Sequence, residues 1–125
     1  VQVFAGKYNV TGCWKAEGAS LVADAEGKDA EATVTTPGAG ACHCWARMLV
    51  GSSCTVDIGG SVFKPEAKGE KDKFVWVKLG IVAMPAGYTA IMLRQNGKVK
   101  SAVAEIVLTM DAEWDPVSSA NANKP

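Results

Sequence analysis

The chain's 125 residues suit one domain built around one hydrophobic core. Thirteen basic residues balance thirteen acidic ones, and no Lys or Arg stripe is present to read a phosphate backbone, which leaves no case for a nucleic-acid partner. No apolar run approaches the roughly 18 residues of a membrane span, and the first residues lack the basic start and apolar centre of a signal peptide, so the chain reads as a mature secreted product or a fragment of a larger protein.

Apolar residues recur mostly with a period of two, the mark of half-buried strands. "VQVF" (1–4) is a short alternating segment, and "GCWKAEGASLVA" (12–23) has room for two short strands. "AEGKDAEA" (25–32) is the only helix-like stretch. After it, "ATVT" (32–35), "HCWARMLV" (43–50), "CTVDI" (54–58), "KFVWVKL" (73–79), "YTAIMLR" (88–94) and "VAEIVLTM" (103–110) are rich in β-branched and aromatic residues and read as strands. Turn formers separate them at 26–29, 36–40, 51–53, 59–60, 84–87 and 95–98. Asn96-Gly97 is the strongest hairpin signal, because both central residues of a type I′ turn need positive φ. "KPEAKGEKDK" (64–73) alternates in sign and reads as a solvated loop. "VSSANANKP" (117–125) reads as a polar tail or linker, which leaves residues 1–116 as a single domain. Eight or nine short strands, with no amphipathic helix between them, predict an all-β fold: an antiparallel β-sandwich.

The four cysteines are Cys13, Cys42, Cys44 and Cys54. An even count in a small, Gly-rich chain fits an oxidising compartment and two disulfides. A strand holds Cys42 and Cys44 about 6.5–7 Å apart, too far for a bridge between them, so each is expected to pair with Cys13 or Cys54. Four reduced thiols in a cytosolic protein is the rival reading.

Strand alternation divides "ACHCWARM" (41–48) into two faces. Cys42, Cys44, Ala46 and Met48 suit an interior, while His43, Trp45, Arg47 and Leu49 point the other way. Val75, Val77 and Leu79 likewise oppose Phe74, Trp76 and Lys78, and Ile91 and Leu93 oppose Ala90, Met92 and Arg94. If the three strands share a sheet, the second faces combine into one aromatic and cationic surface of His43, Trp45, Arg47, Trp76, Lys78, Met92 and Arg94. Indole rings can stack on the C–H face of a sugar, and Arg and Lys can bind its hydroxyls or carboxylates. The bland alternative is packing, with a loop or a cation lying over each ring.

Other chemistry is poorly supported. His43 points away from both neighbouring thiols on a strand, and a C-x-C pair plus two lone cysteines does not match a zinc motif. The chain has one histidine and no G-x-S-x-G, P-loop or G-x-G-x-x-G sequence, so no enzyme activity is expected.

The run from Cys42 to Phe63, followed by Phe74 to Pro116, resembles jelly-roll carbohydrate-binding modules of the galactose-binding-like type. The matching pieces are Trp45-Ala46-Arg47-Met48, Asp57 to Gly60, Val75-Trp76 with Leu79-Gly80, Ala86-Gly87-Tyr88 and Ile106 to Pro116. "CWKAEGASL" (13–21) is similar to the family's first strand, so the resemblance covers about residues 13–116. It implies a jelly roll that binds polysaccharide or another glycan without catalysis, in a secreted or cell-surface protein, and sometimes alongside other domains of a parent protein. Trp45, Trp76, Arg47, Lys78, Arg94 and His43 are the expected ligand-binding residues. Such modules often hold a structural calcium between first-strand glutamates and a last-strand aspartate. Here Lys15 replaces one glutamate and Ala104 the aspartate, leaving Glu17 and Asp111 as weak candidates, and calcium needs six to eight oxygens. No cofactor is therefore expected, and Asp111 is expected to tie a turn. The alternative is a structural or protein-interaction sandwich domain that binds no sugar.

Overall fold

The computed structural model describes residues 2–4, 14–17, 20–23, 30–95 and 100–116. They form ten strands: β1 (Gln2–Phe4), β2 (Trp14–Glu17), β3 (Ser20–Ala23), β4 (Ala30–Thr35), β5 (Gly40–Leu49), β6 (Cys54–Ile58), β7 (Ser61–Phe63), β8 (Phe74–Met84), β9 (Tyr88–Gln95) and β10 (Ser101–Thr109). One sheet runs β2-β3-β10-β5-β8, with β1 also paired to β10, and the other runs β4-β9-β6-β7. Every ladder is antiparallel. This is the predicted β-sandwich. Cys13, the Asn96-Gly97 turn and the 117–125 tail lie outside the described residues.

The core follows the period of two. Cys42, Cys44, Ala46 and Met48 of β5 are fully buried, as are Val56 and Ile58 of β6, Ile91 and Leu93 of β9, and Ile106 and Leu108 of β10. Each large apolar side chain removed from water contributes about 1.5–3 kcal/mol. Residues 30–32 of the helix-like stretch belong instead to β4. Ala30, Ala32 and Val34 are buried while Glu31, Thr33 and Thr35 are exposed, so the need to cover the core on every second residue outweighs local helix preference.

Two glycine sites account for strand content that the sequence pattern hides. Gly59 and Gly60 have φ of 60° and 94° and form the two-residue turn between β6 and β7, with Asp57 Oδ1 accepting the Gly60 N–H at 2.9 Å. Gly80 lies within β8 rather than ending it. A side chain there would meet the Phe63 ring, whose Cε1 lies 2.8 Å from the position a Cβ would take, so the glycine lets β7 close against β8. Beside it Leu79 is an extra residue: Cys44 pairs with Gly80 and Trp45 with Lys78, a bulge on an edge strand.

Cys42, Cys44 and Cys54 are free thiols buried in the core. The expected bridges from Cys42 or Cys44 to Cys54 are not made. Cys54 opens β6 just after the short crossover from Leu49, whereas Cys44 stands five residues back along β5, roughly 16 Å from Leu49 at strand rise. A disulfide needs Cα atoms within about 7 Å. Burial pushes the Cys54 and Cys44 thiols up to about 12, with the nearby Cys42 adding to the shift at Cys44. Burial also raises Cys42.

Candidate functional site

The outer face of the six-stranded sheet is set by register. On neighbouring strands β10, β5 and β8, Glu105 stands beside Arg47 and Arg47 beside Trp76. The next row is Val107, Trp45 and Lys78, and the one after it Thr109, His43 and Ile81. These are the residues that alternation had turned away from the buried thiols, and the bulge at Leu79 preserves the phase of Trp76 and Lys78 while β8 continues to Met84.

Trp45 and Trp76 are both half-buried, and a third ring joins them. Trp114 packs edge-on against Trp45, with centroids 6.0 Å apart and an interplanar angle of 72°, and against Trp76 at 6.0 Å and 82°. Its position follows from a turn just after β10. Asp111 N–H donates to Thr109 Oγ1 at 3.1 Å, Asp111 Oδ1 accepts the Glu113 N–H at 2.9 Å, and Trp114 N–H donates to the Asp111 carbonyl at 3.2 Å. Asp111 therefore ties the turn that folds Trp114 back onto the sheet. Trp114 escapes a strand-by-strand reading because it lies beyond the last strand. The signals for it are that the "DAEWDP" stretch carries one of four tryptophans and lies within the Ile106 to Pro116 piece of the resemblance.

The cations on the face are partly engaged. Lys78 Nζ sits 5.5 Å from the Trp45 ring centroid. The Arg47 guanidinium lies 5.7 Å from the Phe74 centroid, and its Nε approaches Glu105 Oε1 at 3.4 Å without an aligned hydrogen bond. Glu105 is the second residue absent from the sequence-based site. His43 belongs to the same face but is only 9% exposed, and its buried Nδ1 has no hydrogen-bond partner among the described residues.

Arg94 and Met92 do not join this surface. They lie on β9, whose ladder neighbours are β4 and β6, so they face outward from the opposite sheet. The expectation of one sheet for all three strands fails here: alternation assigns faces within a strand but says nothing about which sheet a strand enters. Glu17 is in β2. Among the described residues no three His, Cys, Asp or Glu side chains converge as a metal site, and no helix is long and apolar enough to cross a membrane.

Comparison with known proteins places the fold. No protein-family profile and no curated protein matches the sequence. Solved structures do match. The GH26-CBM35 mannanase of Podospora anserina superposes with a TM-score of 0.68 at 19% identity over 93% of this chain, which spans 28% of the enzyme. A carbohydrate-binding module, CBM36, solved with calcium and xylotriose, superposes at 0.65 and 13% identity, covering 87% of this chain and 99% of the module. CsCBM6-3 from Clostridium stercorarium, solved with cellobiose, gives 0.65 and 17% identity, covering 89% and 94%. The chain has the β-sandwich fold of these carbohydrate-binding modules.

Proposed function

We propose that this domain is a non-catalytic module of a secreted or cell-surface protein and that it binds polysaccharide on the outer face of its six-stranded sheet. The observation that carries the reading is the cluster of Trp45, Trp76 and Trp114 on one face of a fold shared with carbohydrate-binding modules. The half-exposed rings offer stacking area to the C–H faces of successive sugars, and Lys78 and Arg47 stand beside them as hydroxyl or carboxylate donors. Arg47 is held by Glu105 and Phe74, so its geometry is preorganised before any ligand arrives. His43, 9% exposed, is too buried to contact a sugar directly. Arg94 takes no part in this surface, and binding requires no calcium.

Titration of the full chain with xylo-, manno- and cello-oligosaccharides, followed by calorimetry and tryptophan fluorescence, tests the reading. Binding of at least one series, weakened at least tenfold by Trp76→Ala, is the expected result. No heat and no fluorescence change with any of the three, nor with acidic polysaccharides, overturns it. One observation favours a second reading, a structural or protein-interaction domain: Lys78 already lies over Trp45, and Trp114 already fills the space between the other two rings. Under that reading Trp76→Ala lowers stability and changes nothing else.

A further inference from the structure

The outer face of the six-stranded sheet continues past Arg47. Val22, Ala102, Leu49 and Phe74 lie on the adjacent strands β3, β10, β5 and β8 and line a cavity of about 340 Å³. Three strand spacings make this trough about 14 Å wide. The small, buried Ala102 pairs with Val22 and lies on the strand between Val22 and Leu49. A second cavity of about 360 Å³ adjoins it, sharing Leu49, Asp72 and Lys100 and adding Lys71. Both volumes fall in the size range of small-ligand sites, about 300–1,000 Å³.

The rim is built into the fold. The 64–73 loop is fastened to the β5–β6 crossover where Val50 N–H donates to the Lys73 carbonyl at 2.8 Å and Gly51 N–H to the Ala67 carbonyl at 3.0 Å. Asp72 takes a left-handed conformation with φ of 66°, which turns the chain into β8 at the mouth of the trough. Among the described residues, neither Lys71 nor Lys100 is engaged in an ion pair. Lys100 and Asp72 line both cavities and Lys71 lines the second, so two lysines and one aspartate stand on the rim. Phe74 is 37% exposed in the trough and carries Arg47 on its ring, and Arg47 stands beside Trp76 across the ladder. The aromatic surface and the trough are thus one continuous strip.

We infer that the polysaccharide surface extends into this trough, where an anionic sugar residue is held with its ring on Phe74 and its carboxylate or sulfate at Lys71 and Lys100. This rests on the polysaccharide-binding reading above. A neutral sugar leaves both ammonium groups in water, whereas an anionic substituent gives them charge-assisted hydrogen bonds over a surface that excludes water from one side.

The test uses the full chain and three probes of equal length: an oligogalacturonate, its methyl ester and a sulfated galactan oligosaccharide, alongside the neutral series. The carboxylate or the sulfate probe is expected to bind about tenfold or more tightly than the methyl ester, the size of a charged hydrogen bond. The double variant Lys71→Gln/Lys100→Gln abolishes that preference, and both lysines are exposed, so the fold survives. Trp76→Ala weakens all bound probes alike. Equal binding of acidic and esterified probes overturns the inference and leaves the aromatic surface standing. A preference that persists in the double variant overturns the assignment to these lysines. No binding of any probe, neutral series included, overturns both readings.

Discussion

Trp114→Ala removes the ring that joins Trp45 to Trp76. The two edge-on contacts have centroid separations of 6.0 Å, well inside the range where aromatic pairs attract, and each is worth about 0.5–1.5 kcal/mol beyond area. Half-burial of an indole removes on the order of 100 Å² from water, about 2.5 kcal/mol at 25 cal/mol per Å². The variant is therefore expected to lose about 3.5–5.5 kcal/mol, a large part of the 5–15 kcal/mol typical of a domain. Urea unfolding monitored by circular dichroism reads this as a lower midpoint with an unchanged slope. Double-mutant cycles of Trp114→Ala with Trp45→Ala, and separately with Trp76→Ala, should each return a coupling of about 0.5–1.5 kcal/mol. A loss below about 0.5 kcal/mol with no coupling in either cycle refutes the packed face. The same variant also separates platform from plug. If the three rings act as one sugar platform, oligosaccharide affinity falls; if Trp114 only fills the space a sugar would take, affinity rises.

The buried thiols give a pH prediction. Cys44 and Cys54 are pushed up to about 12 from an ordinary value of 9.0, so the fold prefers the protonated form that the unfolded chain gives up first. Their contribution is complete below pH 9 and is lost as pH rises toward 12, and Cys54→Ala should flatten this alkaline decline in denaturant-melt stability. A decline of the same slope in that variant contradicts the assignment. Gly80→Ala is expected to cost about 1–3 kcal/mol, because its φ of 156° and the Phe63 ring leave no room for a methyl group. Phe63→Leu in the same chain should recover part of that loss, and the absence of any recovery in thermal melts counts against the contact. Chelation of divalent ions should leave the melting temperature and sugar affinity unchanged, since among the described residues no three His, Cys, Asp or Glu side chains converge. A fall in affinity that added calcium restores is the contrary result.

Much of this fold was legible because a period of two is hard to counterfeit. The division of "ACHCWARM" into a thiol face and an aromatic face needs only strand geometry, and the buried Cys42, Cys44, Ala46 and Met48 bear it out. The failures share a different cause. Periodicity is a local signal, whereas sheet membership is decided by pairing between distant segments. Arg94 was misplaced for that reason: β9 has the same alternation as β8 but hydrogen-bonds to β4 and β6. The strand residues after Gly80 were hidden because a glycine reads as a stop until a partner ring is seen to need the space.

The bridge expected between Cys54 and a β5 cysteine is not made, for a similar reason. An even cysteine count speaks about compartment, but a bridge depends on where along two strands each thiol falls. Cys44 and Cys54 share one core but open onto different strands of it, and burial, helped at Cys44 by the neighbouring Cys42, keeps them protonated. The site was half legible for a related reason. Trp45 and Trp76 lie within strands, so alternation finds them, while Trp114 reaches the face only because Asp111 turns the chain back after β10. What unites the three rings is thus a turn. Asp111→Ala, which leaves every strand intact and breaks the bond to Glu113 N–H, should loosen Trp114 and lower the near-ultraviolet circular dichroism of the tryptophans. If that signal stays unchanged, strand packing alone holds the ring in place, and the turn has no part in building the surface.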